Sequence, residues 1–572
     1  MVMDRRNGLD EQTHLWSLYH EGIDYQIKSG LRYNIPKYID FYEGRQWPAP
    51  TENTKNLPRP VVNIVKMICR SKKSSILSTP VRILYKSYSK STDTDKLNDF
   101  AQSIQKEMNQ EGLDRTAIDD GIKKGSYFYH YYWDKEARGV TGCIEGGVRC
   151  EIIDPLNIFF ANPREQNEQK QKWILISTPM ELSQIRQLAD KDVNPKQIKA
   201  ENEGNEGNSS NVATLLTRYF KIDGEVWCER GTKDCIVNAP FKLTPNINYA
   251  KSLLHKDNSR EKSEISSEMN ASYGSSLVKG MFKLGKPCAT LYPIVCGCYE
   301  RREGSIYGLS EVEGIIPNQK AINFNIAMTL LNSQQCAWGK YIALPNALKG
   351  QTVTNAPGQV LIDYSGTGDG IKRMKEESIS EIPMSIAQSI TELTRTATGS
   401  SEILSTDALS SNLSGVAIAQ LQAQAEVPIE ELRSSFWEVK KKQGLVLAQF
   451  IKLYYHDKAF LRKIRDNTGC ECEICDHFYS SEYENSILDV VIEPTRGTRS
   501  SITSDISLLD NCLKSGSISF ETYIKAYPEG ALSNKASLLK QIYEEKTDEI
   551  YRLRKELEAL KNGKTVDPVS IV

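Results

Sequence analysis

The most regular hydrophobic pattern in the chain lies between residues 310 and 337. Two stripes of mostly apolar side chains recur there at three- and four-residue spacing: Val312, Ile315, Gln319, Ile322, Ile326 and Leu330 form one, and Ala321, Phe324, Met328 and Leu331 form the other. That spacing predicts an α-helix, roughly 42 Å long at ~1.5 Å per residue. A helix that is apolar on two sides needs neighbours on two sides, so we expect it to pack beside copies of itself.

An insert with a different pattern follows this helix. Residues 341–345 and 359–364 are short apolar runs, and three glycines lie between positions 366 and 370. Apolar runs bounded by turn residues predict two short strands with turns between and after them. No helix that could bind a dinucleotide phosphate follows the glycines directly, so a hairpin turn is the plainer interpretation.

Helical periodicity returns after the insert. Ser380 is a suitable N-cap, Pro383 falls in the first turn, and Gly399 ends the pattern. Residues 400–414 are rich in Ser, Asn and Gly, which predicts a mobile loop with a few apolar tips. Residues 416–456 are helical again, and Pro428 is expected to kink that helix.

Other helices and strands are predicted on both sides of this central region. Helices are expected over residues 11–42, 63–78, 96–124, 504–514, 519–527 and from 533 onward, and strands over residues 127–133, 149–153, 173–177, 215–222 and 487–492. The strand at 127–133 is rich in aromatic residues, which fits a half-buried sheet better than a platform for stacking bases. The chain is therefore predicted to be α+β and mostly helical.

The composition narrows the possible functions. The 72 basic and 73 acidic residues give a net charge of -1, so a protein that grips nucleic acid tightly over its whole surface is not expected. Neither an apolar run of membrane-spanning length nor a signal peptide is recognisable, so we expect neither membrane insertion nor secretion. The 13 cysteines are expected to be reduced thiols in a cytoplasm.

Four short, widely separated segments occur in this order along the chain: FYEGRQW at 41–47, YGLSEVE at 307–313, SGVAI at 414–418 and GSISFET at 516–522. Together with the order helix, strand-containing insert, returning helix, Ser/Gly-rich loop and long kinked helix, they resemble the portal, or head-to-tail connector, proteins of tailed bacteriophages. The resemblance covers most of the chain. Each segment is short, and it is their order that is specific.

The resemblance implies a portal-type fold that assembles into a ring, by analogy with twelve subunits. It divides the chain into a wing at 1–307, a stem helix at 308–338, a clip at 339–379, a returning stem helix at 380–399, a tunnel loop at 400–414, a kinked wing helix with C-terminal wing strands at 415–500, and a crown with a C-terminal helix at 501–572.

The resemblance also implies partners and a location. The ring would occupy the portal vertex of the virion capsid after assembly in the host cytoplasm, with double-stranded DNA passing through it during packaging and ejection. It would contact the large terminase, a tail adaptor, and the major capsid and scaffolding proteins, and it would be neither an enzyme nor a cofactor-binding protein. The alternative is another capsid-associated helical structural protein that has no DNA channel.

Candidate site residues follow from these assignments. Contacts between stem helices of neighbouring subunits are expected at Ile322, Phe324, Ile326 and Met328. Contacts of the clip with the motor or adaptor are expected at Lys349, Lys372, Arg373 and Lys375. The tunnel loop would present Glu402, Ile403, Leu404, Asp407, Leu409 and Leu413 to the DNA channel.

Charge is distributed unevenly along the proposed channel segment. Between residues 376 and 430 there are eight acidic residues, and Arg395 is the only basic one. Basic side chains in every subunit of a ring would hold DNA phosphates, so a neutral or acidic lining would let a duplex slide. The alternative is that these acids face neighbouring subunits or solvent outside the bore.

Three cysteines and a histidine lie within eight residues at Cys470, Cys472, Cys475 and His477. These are side chains that zinc prefers, although the first spacing is tighter than that of structural zinc knuckles. The alternative is a turn, between a helix and the strand at 487–492, that carries reduced surface cysteines.

Two further patterns concern phosphate. Residues 280–286 match the start of a nucleotide-binding P-loop, but Pro287 replaces the hydroxyl residue that holds Mg²⁺, and this argues against an NTP-driven motor. The three lysines at 440–442 are predicted to form a solvated helix face, with contact to DNA as the alternative.

Overall fold

The computed structural model describes residues 8–52, 54–87, 94–138, 146–200, 211–245, 288–337, 341–345, 347–352, 354, 362–364, 366, 369–373, 381–399, 415–455, 457–465, 471–483, 486, 488–494, 499–527 and 535–561. Of these residues, helices account for 49% and strands for 23%, in agreement with a mixed, predominantly helical fold.

Three helices open the chain: α1 (Gly8–Lys28), α2 (Leu31–Glu43) and α3 (Ile64–Ile76). One continuous helix was predicted over residues 11–42, but Gly30 has φ 78° and separates α1 from α2. A residue in that left-handed conformation cannot continue an α-helix. The start of α3 agrees with the prediction, because the side-chain oxygen of Asn63 accepts a hydrogen bond from the Lys66 amide (3.0 Å).

The next elements are β1 (Val81–Ser87), α4 (Asp95–Glu107) and α5 (Gln110–Lys124). The helix predicted over residues 96–124 is in fact two helices, since Asn109 lies between them with φ 52°. Asparagine tolerates the left-handed region better than most residues, and its side chain gives no periodicity signal at this position. The break was therefore not visible in the hydrophobic pattern.

Two antiparallel sheets follow. The three-stranded sheet has the order β3-β2-β9, with β2 at Ser126–Asp134, β3 at Gly147–Ile153 and β9 at Ile294–Cys298. The five-stranded sheet contains β4 (Ile158–Phe160), β5 (Trp173–Glu181), β6 (Val212–Ile222), β7 (Glu225–Gly231) and β8 (Ile236–Lys242) in sequence order, with helix α6 (Leu182–Leu188) after β5. The sequence predicted β2, β3, β5 and β6, but not β4, β7, β8 or β9.

The central region contains α7 (Glu311–Ala337), β10 (Tyr341–Ala343), β11 (Ile371–Arg373), α8 (Ile382–Ala397) and α9 (Gly415–Tyr454). Helices α7 and α8 pack along each other, with the start of α7 beside the end of α8, and so form an antiparallel hairpin. The helix–insert–helix order predicted from the sequence is therefore present.

The chain continues with β12 (Lys458–Arg465), β13 (Glu471–Phe478), β14 (Leu488–Pro494), α10 (Arg499–Lys514), α11 (Phe520–Ala526) and α12 (Lys535–Lys561). Strand β14 returns to the N-terminal part of the chain and pairs antiparallel with β1. The turn expected around residues 470–477 is wrong, because this segment is strand β13 and pairs antiparallel with β12.

Helix α9 runs through the largest core and lies directly under the β1–β14 pair. A Cβ atom on Gly444 would lie 2.6 Å from Val490 and 2.7 Å from Ile83. The hydroxyl of Tyr85 also donates to the Gly444 carbonyl (3.0 Å). Glycine is therefore required in this helix interior, because any side chain would push the two strands away from the helix.

We expect Gly444→Val to destabilise the monomer by on the order of 3 kcal/mol, since it inserts methyl groups into a packed contact. Chemical denaturation of the monomer measures this. Gly314→Val is the matched control: Gly314 is also helical, and no described atom would lie within 4 Å of a Cβ atom placed there. Equal stability of the two variants would contradict the close approach.

The lysine cluster at 440–442 was expected to be solvated, and this expectation is wrong for Lys440. Lys440 is buried and forms an ion pair with Asp114 of α5. Lys442 pairs with the buried carboxylate of Glu168 (3.0 Å) while 42% of its own side chain stays exposed, and Lys441 is exposed as well. The two paired lysines attach α9 to the rest of the core, so they are not available to hold DNA phosphates.

Candidate functional site

The α7–α8 hairpin is anchored at the base of α7 by Ser310. The Ser310 hydroxyl contacts the carbonyls of Ile122 (2.9 Å) and Lys123 (2.8 Å) at the end of α5, and it accepts from the Val312 amide (3.1 Å). A short polar residue at the N-cap therefore starts α7 and fastens it to α5. The side-chain amide of Asn318 donates to the Thr394 hydroxyl (3.0 Å), which links α7 to α8.

A cluster of buried amides joins α7 to the N-terminal helices. Gln319 is fully buried; its oxygen accepts from the Ile64 amide (3.0 Å), and its nitrogen donates to the Val62 carbonyl (2.7 Å) and to Asn323 (3.0 Å). Asn323 in turn donates to Gln46 (2.6 Å). The only sequence signal for this cluster was a glutamine in an apolar stripe, and satisfied amides in a core fix one orientation of the helix.

The second stripe of α7 faces away from the same chain's core. Phe324 is 58% exposed and Met328 43% exposed, whereas Ile322 is only 1% exposed and belongs to the intramolecular core. The expectation that Ile322 contacts another subunit is therefore corrected, and Ile326 is half-buried against the same core. Helix α8 adds further exposed apolar side chains: Ile382, Met384, Ile386 and Leu393. Helical spacing sets Met384 on the side of α8 opposite Ile382, Ile386 and Leu393, so we call Phe324, Met328, Ile382, Ile386 and Leu393 the hairpin face.

The insert between the two helices contains a small antiparallel ladder. Strand β10 pairs with β11 and not with residues 359–364, whose described part, 362–364, is outside any strand. Lys372 is exposed and pairs with Asp369 (3.2 Å), and the Lys349 amine lies 5.1 Å from the centre of the Tyr364 ring. Arg373 ends β11, and Lys375 lies outside the described residues.

The predicted tunnel loop, residues 400–414, lies outside the described residues, and with it Glu402, Ile403, Leu404, Asp407, Leu409 and Leu413. Its two flanks are described: α8 ends before Gly399, which has φ 66°, and α9 begins at Gly415. Of the acidic residues predicted to line a channel, Glu392 is exposed, whereas Glu430 pairs with the buried Arg433 (2.7 Å). Glu430 therefore has an intramolecular partner.

The cysteine–histidine segment forms part of the β12–β13 ladder. Cys472 pairs with Ile464 and Cys475 with Leu461, and the Nδ1 atom of the exposed His477 lies 3.1 Å from an Asp457 oxygen. Cys470 lies outside the described residues. Successive positions of a regular strand alternate between its two faces, so positions 472 and 475, which are three apart, belong to opposite faces. Within the described residues no cluster of three or more metal-ligating side chains occurs, and because Cys470 is not among them the zinc site stays a prediction.

The aromatic strand β2 is a core element. Tyr127, Tyr129 and Tyr131 are buried, and His130 is held between Glu151 (2.8 Å) and the Tyr219 hydroxyl (2.8 Å). These rings are unavailable for base stacking, in agreement with the half-buried sheet predicted from the sequence. Among the helices that the structure describes, none combines the length and apolar character needed to cross a bilayer.

The comparisons with known proteins agree with this architecture. The family model described as Phage P22-like portal protein matches residues 32–471, which is most of the chain and includes the α7–α8 hairpin and all of α9. No curated protein matches the chain. The chain therefore belongs to the P22-like family of phage portal proteins.

Proposed function

We propose that the chain forms a twelve-membered ring at the capsid portal vertex and that double-stranded DNA enters and leaves the phage head through its centre. In this assignment α7 and α8 form the stem, the β10–β11 insert the clip, residues 400–414 the tunnel loop, and α10 to α12 the crown. The remaining elements form the wing. The ring acts as a conduit, and the chain itself carries out no reaction.

The hairpin face is the observation that carries this proposal. One side of α7 is fixed to its own chain through buried amides, while the other side presents large apolar side chains to solvent. Apolar surface of this kind on a rigid element marks a protein interface. In a closed ring, each hairpin meets a different surface of the next subunit, and no apolar face is left exposed.

The insert at the end of the hairpin is proposed to contact the large terminase and later the tail adaptor. Ile342, Leu344, Ile362 and Tyr364 are exposed there beside Lys349 and Lys372. Apolar side chains flanked by cations suit a protein surface that carries acidic residues around an apolar centre. Arg373 and Lys375 are proposed to belong to the same surface.

Electron microscopy of the purified protein tests the assignment. We expect negatively stained particles to be rings with a central hole, and symmetry averaging to give the subunit number. Particles that remain monomers or form open filaments even at high protein concentration would contradict the proposal.

A charge reversal tests the proposed channel lining. We expect Glu402→Lys with Asp407→Lys to assemble rings but to slow or stall DNA packaging, more at low salt than at high salt. Each added lysine attracts phosphate, and a ring multiplies the attraction. Packaging assays over a range of ionic strength measure the effect.

Asp192→Lys provides the control, because Asp192 is exposed beside the five-stranded sheet, outside the proposed bore. It is expected to package normally at all salt concentrations. Packaging by the double variant that is indistinguishable from this control would remove the loop from the channel.

A further inference from the structure

A cleft of about 1080 Å³ lies at the base of the hairpin. Its walls are the first turns of α7, the last turns of α8 and the middle of α9, and Lys72 of α3 also lines it. The volume is at the upper limit of ordinary ligand pockets and far exceeds what a single ion requires. The cleft is therefore large enough for a segment of polypeptide.

Lys72 is the unusual residue in this cleft. The residue as a whole is only 6% exposed, but its amine opens onto the cleft, where it forms no hydrogen bond or ion pair with any part of the chain that the structure describes. An ammonium group enclosed in this way can be hydrated only by water in the cleft, whereas enclosed charges are normally paired or hydrogen-bonded to protein groups. A group that enters the cleft would supply the missing acceptor.

Glu311 provides the complementary half of the site. One of its carboxylate oxygens accepts from the Tyr299 hydroxyl (2.9 Å), and the other has no hydrogen-bond partner among the described residues. Burial raises the pKa of Glu311, and the nearby Lys72 charge opposes that shift, but the two groups are too far apart for an ion pair. The Lys72 amine, a donor, and the second Glu311 oxygen, an acceptor, therefore both border the cleft without contacting each other.

We propose that this cleft binds a polypeptide segment of a neighbouring copy, with an amide group of that segment placed between Lys72 and Glu311. An amide offers a carbonyl to the Lys72 amine and an N–H to the Glu311 carboxylate, and so satisfies both. A simple anion would satisfy Lys72 but repel Glu311. The inference rests on the proposed ring, because the ring supplies the neighbouring copy.

Two features of the walls fit this occupant. The hydroxyls of Thr396 and Thr398 both donate to carbonyls of their own helix, so towards the cleft they can only accept hydrogen bonds, for example from peptide N–H groups. Glu300 and Glu431 are exposed at the rim and form no ion pair with described residues. The bound segment is therefore expected to carry a lysine or arginine.

The cleft is also continuous with the surface proposed to meet the next subunit. Leu393 of the hairpin face directly precedes Thr394 in α8, and α7 runs from the cleft to Phe324. A neighbouring chain that covers the hairpin face would pass the mouth of the cleft. A second copy is therefore the occupant that the position favours.

Lys72→Met tests the proposal on the full chain. Met keeps the length of the side chain and removes the unpaired charge, so we expect the monomer to melt at the same or a higher temperature. The concentration at which half of the protein is assembled, measured by sedimentation velocity, should rise about tenfold because a charged hydrogen bond to the neighbour is lost. Lys441→Met, at an exposed lysine of α9, is the matched control and should assemble like the parent.

A second measurement does not depend on how the variant folds. Thr396 is exposed and lines the cleft, and its replacement by the photoreactive residue p-benzoylphenylalanine should cross-link one subunit to the next in purified rings. The proposal would be overturned if Lys72→Met assembled rings like Lys441→Met does. It would also be overturned if irradiated rings showed no cross-link between subunits. Either result would mean that the cleft holds only solvent. If the parent formed no rings at all, the proposed function itself would fail.

Discussion

Phe324→Asp is expected to abolish ring assembly while leaving the monomer folded. Phe324 is 58% exposed in the single chain, so a carboxylate at this position stays hydrated and disturbs little in the monomer. In the ring the same carboxylate would be buried against the next subunit without a cationic partner, which is strongly unfavourable. The penalty recurs at every interface of the ring.

Sedimentation velocity and thermal melting together measure this prediction. We expect the subunit–subunit dissociation constant to rise at least about a hundredfold, which corresponds to roughly 3 kcal/mol per interface. The melting temperature of the dissociated monomer should change little. Tyr33→Asp is the matched control, because Tyr33 is an exposed aromatic residue of α2 outside the hairpin face. Intact rings in Phe324→Asp would show that the hairpin face is not the interface.

The double stripe of α7 shows how much of the assembly surface could be read from the sequence. Periodicity identified both stripes, because helical spacing depends only on local geometry. It did not distinguish the stripe that packs on the same chain from the one left exposed, and so Ile322 was assigned to the wrong side. That distinction depends on where α3 lies, and Gln319 fixes it through contacts about 255 residues apart in sequence.

The strands that were not predicted were missed for a similar physical reason. Strands β2, β5 and β6 are rich in aromatic and β-branched residues and were predicted, whereas β13 carries the alternating sequence ECEICDHF, which lacks that signal. Its strand conformation is stabilised by pairing with β12, and β12 also lacks a clear apolar alternation. Pairing between two weak strands is a tertiary effect, so a turn was the more natural interpretation of the local sequence.

The prediction that the lysines at 440–442 are solvated failed at Lys440 for a different reason. A run of three charges on a helix usually faces solvent, and the sequence gives no sign of a buried carboxylate more than 300 positions away. Asp114 supplies it, and it also accepts hydrogen bonds from the Tyr129 hydroxyl (2.9 Å) and the Gln110 amide (3.0 Å). Burial, together with the adjacent Asp114 charge, raises the pKa of Tyr129 well above its ordinary value, so Tyr129 stays a donor.

Lys440→Met is therefore expected to be among the most destabilising substitutions in the chain. The ion pair is buried, and removal of the ammonium group leaves a charged Asp114 with only two neutral donors. Breaking a buried pair from one side typically costs about 3–5 kcal/mol. Lys441→Met removes an exposed neighbour on the same helix and should change the unfolding free energy by less than about 0.5 kcal/mol.

The double variant Lys440→Met with Asp114→Asn separates the two contributions to this penalty. The carboxamide oxygen of asparagine can still accept from Tyr129 and carries no charge, so the double variant should be more stable than Lys440→Met alone. Denaturation of the parent, of the single variants Lys440→Met and Asp114→Asn, and of the double variant gives the coupling between the two sites. A Lys440→Met monomer as stable as Lys441→Met would mean that the pair contributes nothing. Because this penalty acts within one chain, Lys440→Met should lower the melting temperature of the isolated monomer, whereas Phe324→Asp should not; the two variants therefore distinguish loss of folding from loss of assembly.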